Sequence, residues 1–222
     1  MYTQPQKGNN RHDINTLLND YTYSVIKRHC PLVDVFNASN PKSEAEFLSA
    51  INGYVEQHRG AGAMTVQECA EHALRRQQAH GCNYTTEEIH GFVYDLMVTK
   101  TMLGALKENQ ARQALENRYP EFRFEAAGDM DATYAVDIVV RDTTGTIVCA
   151  IQVKPNSYYT SIKPAVVNAR KSNPERNRRF SEEFDGAQVF YLIYNTRSRR
   201  FTNYPDALVY LENVFGYESV AA

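Results

Sequence analysis

The chain has 222 residues, of which 43% are hydrophobic and 23% charged, with 24 Lys and Arg against 26 Asp and Glu and a formal net charge of −2. That length supports one large domain, or a domain with an elaborated end, and a substantial core. The charge balance excludes a polycation that binds nucleic acid by bulk attraction, and no apolar run approaches the ~20 residues of a membrane-spanning helix.

In chain order, residues 13–26 carry the pattern of a short amphipathic helix. Pro31 and Pro41 read as punctuation of a loop, and Ser43-Glu44-Ala45-Glu46 is the acidic opening of a helix expected to reach about Gln57. His58-Arg59-Gly60-Ala61-Gly62 reads as a turn or hinge, and a further helix is expected over residues 65–78. Residues 1–85 are therefore expected to be a helical accessory region. Gripping DNA, supplying a dimer surface and covering a sheet are equally open uses for it.

From Thr86 the pattern changes. Residues 86–118 predict one long helix or two joined ones, with Ile89, Phe92, Val93, Leu96, Met97, Leu103 and Leu106 at helical spacings. Tyr119-Pro120 ends it, and Phe122-Arg123-Phe124 alternates like a strand. Residues 134–140 and 147–154 are rich in β-branched side chains, and the turn-forming stretch 141–146 between them makes a hairpin. Residues 163–183 are polar and expected to be helical in part, with a break near Pro174. Residues 188–194 form the near-continuous apolar run of a buried strand, and 205–216 a closing helix with Gly216 past its end. The expected fold is α/β: a mixed β-sheet flanked by helices (helix, three strands, helix, strand, helix) over residues 86–222, preceded by the helical region.

The chemistry gathers on the hairpin. Alternate side chains of a strand share a face, so Gln152 and Lys154 project together while Val153 points the other way. The hairpin brings Asp137 to the same sheet edge. A carboxylate, an amide oxygen and an ammonium placed together are equipment for holding a hard divalent cation and activating water against a phosphodiester. Taken singly, Asp137 and Lys154 are equally an ordinary strand-end acid and a solvated strand lysine.

The order and spacing of these residues, with the flanking elements of about residues 86–216, resemble the PD-(D/E)xK nuclease superfamily, which includes most type II restriction endonucleases. Val136-Asp137 stands for that family's Pro-Asp, and Gln152 stands where Glu or Asp is usual. Gln at this position occurs in some active members. A Gln oxygen can ligate Mg²⁺ but attracts it less than a carboxylate. The resemblance implies Mg²⁺ held by Asp137, the Gln152 side-chain oxygen and the Val153 carbonyl, with Lys154 beside the attacking water. It also implies a third acid on the preceding helix, for which Glu116 is the choice and Glu108 the reserve. Either of these is equally read as an exposed helical Glu pairing with Arg112 or Arg118. The string Ile151-Gln152-Val153-Lys154-Pro155, with Ser157-Tyr158 following, is similar to a tail in a small group of type II enzymes that read CTAG.

Charge distribution supplies the DNA expectation. Residues 141–204 hold eleven Lys or Arg against five Asp or Glu. Lys163, Arg170, Lys171, Arg176, Arg178 and Arg179 fall in or beside the second helix, and Arg197, Arg199 and Arg200 follow the fourth strand. Such a stripe would track a phosphate backbone, although Glu175, Glu182 and Glu183 make a solvated helix face an equal reading. Pro155 is expected to end the pairing of its strand. Asn156, Ser157 and Tyr158 would then stand at the rim as phosphate donors, or else form a polar loop with packed tyrosines.

The expected function is a Mg²⁺-dependent, sequence-specific endonuclease that cleaves double-stranded DNA, a type II restriction enzyme working as a homodimer. An inactive DNA-binding or scaffolding relative and a junction resolvase are the alternatives. The four cysteines lie far apart, as suits reduced thiols in a cytoplasmic protein, and no secretory segment opens the chain. Cys69, His72, His80, Cys82 and His90 fit no paired zinc-ligand spacing well.

Overall fold

The computed structural model describes residues 30–79, 82–162 and 164–217. The helix expected over residues 13–26, His80 and Lys163 lie outside them. The chain divides into two compact units, Met1–Ala105 and Leu106–Ala222.

The described part of the first unit is helical: α1 (Leu32–Ser39), α2 (Glu44–His58), a 3₁₀ turn (Arg59–Ala61), α3 (Val66–Ala79), α4 (Thr86–Tyr94) and a π-helical stretch (Asp95–Lys100). Helix α5 (Thr101–Arg118) follows directly, and its residues from Leu106 onward belong to the second unit. Helix α1 corrects the loop expected between the two prolines. Pro31 sits just before its first residue and Pro41 just past its C-cap, so both prolines bound a helix rather than fill a loop. Ser43 caps α2 by accepting from the Glu46 amide, and Thr85 and Glu88 form a reciprocal capping box on α4. Phe36, Phe47, Ile51, Ala73, Ile89 and Met97 are fully buried in one apolar core.

The second unit carries the sheet. Strands β1 (Arg123–Ala126), β2 (Ile138–Arg141), β3 (Ile147–Pro155) and β4 (Gln188–Tyr194) lie in the order β1-β2-β3-β4, with the first two pairings antiparallel and β3·β4 parallel. Helix α6 (Asp129–Tyr134) joins β1 to β2, α7 (Ser157–Thr160) and α8 (Pro164–Glu183) cross from β3 to β4, and α9 (Tyr204–Phe215) closes the unit. Ala150 packs with Val139 and Phe180, which places α8 on the face bearing Ala150 and Gln152. Phe190, the register partner of Ile151, stacks on Tyr210, which places α9 on the other face. The expected mixed sheet flanked by helices is the fold.

Three local expectations change. Tyr134 ends α6 rather than opening a strand, and Ala135 turns the chain through a left-handed conformation (φ 58°) before β2 begins at Ile138. Helix α8 runs unbroken through Pro174. An interior Pro costs about 3 kcal/mol, and the buried Asn173 and Phe180 on either side hold the helix to the sheet across it. Finally, β3 stays paired through Pro155, opposite Tyr194. The Asn156 amide donates to the Tyr194 carbonyl at 2.7 Å, so by alternation the missing Pro155 N–H faces away from β4 and no ladder bond is lost.

Candidate active site

Asp137 lies one residue before β2 but already in the ladder. Its amide donates to the Ile151 carbonyl and its carbonyl accepts from the Ala127 amide, each at 3.0 Å. Extending the register Ile138↔Ile151 by one residue sets Asp137 opposite Gln152. Beyond Asp137 the chain has turned into α6, so β3 continues past the end of its partner. The Asp137 carboxylate takes up the exposed edge: Oδ2 accepts from the Val153 amide at 2.6 Å and from Lys154 Nζ at 3.2 Å. Its side chain is 8% exposed and that of Lys154 22%.

Ladder parity also aims the Val153 carbonyl at this edge. The next amide in line on the β2 side would be that of Ala135, which donates instead to the Asp131 carbonyl at the end of α6. A carboxylate, a main-chain oxygen and Gln152 therefore meet where one strand outlasts the other.

Gln152 is buried, and its Oε1 accepts from Asn173 Nδ2 at 3.4 Å, a long contact. Asn173 Nδ2 also donates to the Tyr158 hydroxyl at 3.1 Å. The Gln152 oxygen is thus turned to Asn173; to serve as a ligand the amide would have to give up this contact, because a half-turn alone sets two NH2 groups face to face. Asn173 was not among the residues that the sequence singled out; the polar character of α8 hides which of its residues face the sheet.

The electrostatics single out one helix acid. Burial pushes the Glu108 carboxyl up to about 8, the neighbouring Asp137 charge adds to the rise, Lys154 opposes it and Asp131 adds again. Asp137 is itself raised, by burial first, with Lys154 opposing, Asp131 adding and the Val153 amide opposing. Burial and the charges of Glu108 and Asp137 raise the Tyr194 phenol as well. Glu108 thus lies within electrostatic reach of Asp137 and Lys154, whereas Glu116 is exposed on α5. A signal existed in the sequence. Glu108 shares the i, i+3, i+7 stripe with Ala111 and Leu115, both fully buried, and Glu116 does not.

Every potential ligand at this corner is a hard oxygen: carboxylate, amide oxygen and main-chain carbonyl. That set suits Mg²⁺ or Ca²⁺ and not a softer metal. Two carboxylates raised by burial, Glu108 further by the charge of Asp137, are relieved by a cation between them. Among the described residues no three His, Cys, Asp or Glu side chains are gathered as a metal cage, so the oxygens of Gln152 and Val153 would have to complete the shell.

The other expected contact residues fall in different settings. Asn156 and Ser157 are exposed at the end of β3, but Tyr158 is buried against Asn173 and Tyr191, so it packs rather than lines a rim. On α8, Arg176 donates to the Asp131, Ala132 and Thr133 carbonyls of α6. Arg178 is paired with Glu175 and Glu182, the local pairing of a solvated helix face. Arg170 donates to the Tyr159 and Ser161 carbonyls. Lys171 and Arg179 are exposed. No disulfide joins the four cysteines, all of them buried, and among the described residues no helix is long and apolar enough to cross a membrane.

A family model described as MjaI restriction endonuclease matches residues 44–201, more than two thirds of the chain and all of this corner. No curated protein and no solved structure matches the chain.

Proposed function

Since the chain belongs to the MjaI restriction endonuclease family, we propose that it is a Mg²⁺-dependent type II site-specific endonuclease of the PD-(D/E)xK kind, in its Gln-x-Lys variant. The observation that carries this reading is the Asp137–Lys154 contact at 3.2 Å, closed by the Val153 amide, at the open end of the β2–β3 hairpin. Asp137, the Gln152 side-chain oxygen and the Val153 carbonyl would hold the ion, and Glu108 would supply the charge that Gln152 lacks. When bound, Mg²⁺ neutralises a phosphate oxygen and lowers the pKa of a coordinated water.

The side chains do the rest. Asp137 holds Lys154 in place through Oδ2. The Lys154 ammonium orients the attacking water and stabilises the negative charge that grows on the phosphorus centre. Attack in line with the leaving oxygen gives a 5′-phosphate and a 3′-hydroxyl, by likeness to the superfamily. A symmetric duplex site is matched by a homodimer, with residues 1–85 available to grip DNA or to join the two copies. The likeness of the Ile151–Tyr158 string supports a short CTAG-type site, and the buried cysteines suit a reducing cytoplasm.

A binding protein without catalysis is the competing reading, and one observation favours it: Gln152 Oε1 already has a donor in Asn173. Incubation with duplex DNA and Mg²⁺, resolved on a gel, separates the two. Discrete fragments that vanish with EDTA are expected. Intact DNA with retained binding would establish the inactive alternative, and cleavage confined to branched substrates a resolvase.

A further inference from the structure

We propose that residues 195–200, which follow β4, form a preformed clamp for a DNA phosphate backbone, with the guanidiniums of Arg197, Arg199 and Arg200 as its contacts. This rests on the nuclease reading and assigns its substrate contact to a different segment from α8. On α8 the arginines 170, 176 and 178 are engaged within the fold, by carbonyls or by glutamates. The three loop arginines are exposed, and among the described residues no ion pair or side-chain hydrogen bond engages them.

The backbone beneath them is held at many points. The Asn195 amide donates to the Arg200 carbonyl and the Arg199 amide to the Asn195 carbonyl, each at 2.8 Å. Asn195 Oδ1 accepts from the Arg197 and Ser198 amides at 2.9 and 3.0 Å, a side chain standing in for a turn of backbone. Tyr194 and Phe201 close the loop as an isolated bridge. From behind, the buried Lys107 ammonium donates to the Arg199 carbonyl and to Gln110 and lies over the Phe201 ring. Burial, then the charge of Arg199, lowers its pKa. This buried cation therefore positions the loop and adds positive potential.

Location and strain point the same way. Tyr194, the residue before the loop, pairs with Pro155 one step beyond Lys154, and its phenol feels the charges of Glu108 and Asp137. The clamp thus stands at the end of the sheet that carries the chemistry. Arg199 holds φ 56°, a left-handed conformation that strains a residue with a Cβ and suits Gly or Asn. A guanidinium kept at a strained position beside a catalytic corner is the pattern of a contact residue. Planar, exposed guanidiniums match phosphate oxygens in pairs.

The test is a salt titration of DNA binding, by fluorescence anisotropy in EDTA, with the full-length chain and two duplexes of unrelated sequence. Arg197→Gln and Arg200→Gln should each weaken both duplexes roughly five- to tenfold near 0.1 M salt and reduce the log–log salt slope by about one. Arg199→Gly should do the same while its melting temperature stays level or rises, because Gly relieves the strained φ. Arg141→Gln removes the same charge at the far end of the sheet, where Arg141 pairs with Glu125, and should leave the slope unchanged. If the parent binds and all three loop variants match it, the clamp is wrong and the nuclease reading stands. Loss on one duplex alone would make the loop a base reader and overturn the backbone assignment. A parent chain that neither binds nor cleaves duplex DNA removes both.

Discussion

Gln77 and Gln152 are equally buried, each 2% exposed, and the protein uses them in opposite ways. On α3, Gln77 is satisfied at both ends by one residue: Nε2 donates to the Tyr84 carbonyl and Oε1 accepts from the Tyr84 amide, each at 3.3 Å. It fastens the segment after α3 to that helix. On β3, Gln152 has a single 3.4 Å contact to Asn173 and lies opposite Asp137, at a corner where two carboxylates are pushed upward. A buried amide with both ends closed is a structural fastener. Gln152, whose NH2 end has no hydrogen-bond partner among the described residues, is held at one end only.

The difference breaks most decisively at the two residues that flank Gln152 in space. Asp137→Ala and Lys154→Ala should each lower cleavage by about three orders of magnitude or more, with duplex binding still measurable, since neither supplies the bulk of the affinity. Near-parental cleavage by either variant would remove the assignment.

The two glutamines themselves come next. Gln152→Ala should reduce cleavage by about a hundredfold through loss of a ligand oxygen, while Gln152→Glu keeps Mg²⁺-dependent activity and binds the metal more tightly. Gln77→Ala should instead cost about 1–3 kcal/mol of stability, because the Tyr84 main chain loses its partner, and leave cleavage per folded molecule unchanged. Parallel kinetics and denaturant melts test this pair; if Gln152→Ala cleaves like the parent, Gln152 is no ligand.

Acidity sharpens the contrast further. Glu108 titrates near 8 in the folded protein against 4.5 for an ordinary Glu, so the folded state holds this proton more tightly than the unfolded state. Its contribution to metal-free stability is therefore greatest below pH 4.5 and declines as pH rises to about 8. Glu108→Gln should flatten that part of a stability–pH profile, and a slope unchanged by the substitution would place Glu108 outside the corner.

The smallest effect is expected at Asn173. Replacing it with Ala releases the Gln152 amide and should change cleavage by about tenfold or less, with a loss of about 1 kcal/mol for the lost hydrogen bonds. A decrease argues that Asn173 orients Gln152 for the metal. An increase shows that Asn173 competes with it for the oxygen.

Much of this is legible in the sequence. Periodicity marked the joined helices up to Arg118, the apolar run marked β4, and Gly216 past the closing helix takes the left-handed cap conformation (φ 72°) that its type allows. The hairpin joining Asp137 to Lys154 was readable because β-branched runs flank a turn at short range, so local preference and pairing agree. Where local signals were two-sided, the reading failed. The prolines at 31 and 41 mark loops or helix ends alike, and Pro174 breaks a helix only when no packing holds both halves.

What the sequence alone determined is the set of elements and the chemical kinds of group at the hairpin, because both follow from neighbours within a few residues. Only the tertiary structure decided which groups meet: Asn173 against Gln152 and Lys107 behind the arginine loop, whereas the helical stripe with Ala111 and Leu115 already set Glu108 apart from Glu116. The tertiary structure also decided which cations stay available. Arg176 and Arg178 look like Arg197 and Arg200 in a composition count, yet the first two are engaged by α6 carbonyls and nearby glutamates while the second two face solvent. Reach across the fold settles such pairings, and a guanidinium's partner is set by distances that no spacing along the chain records.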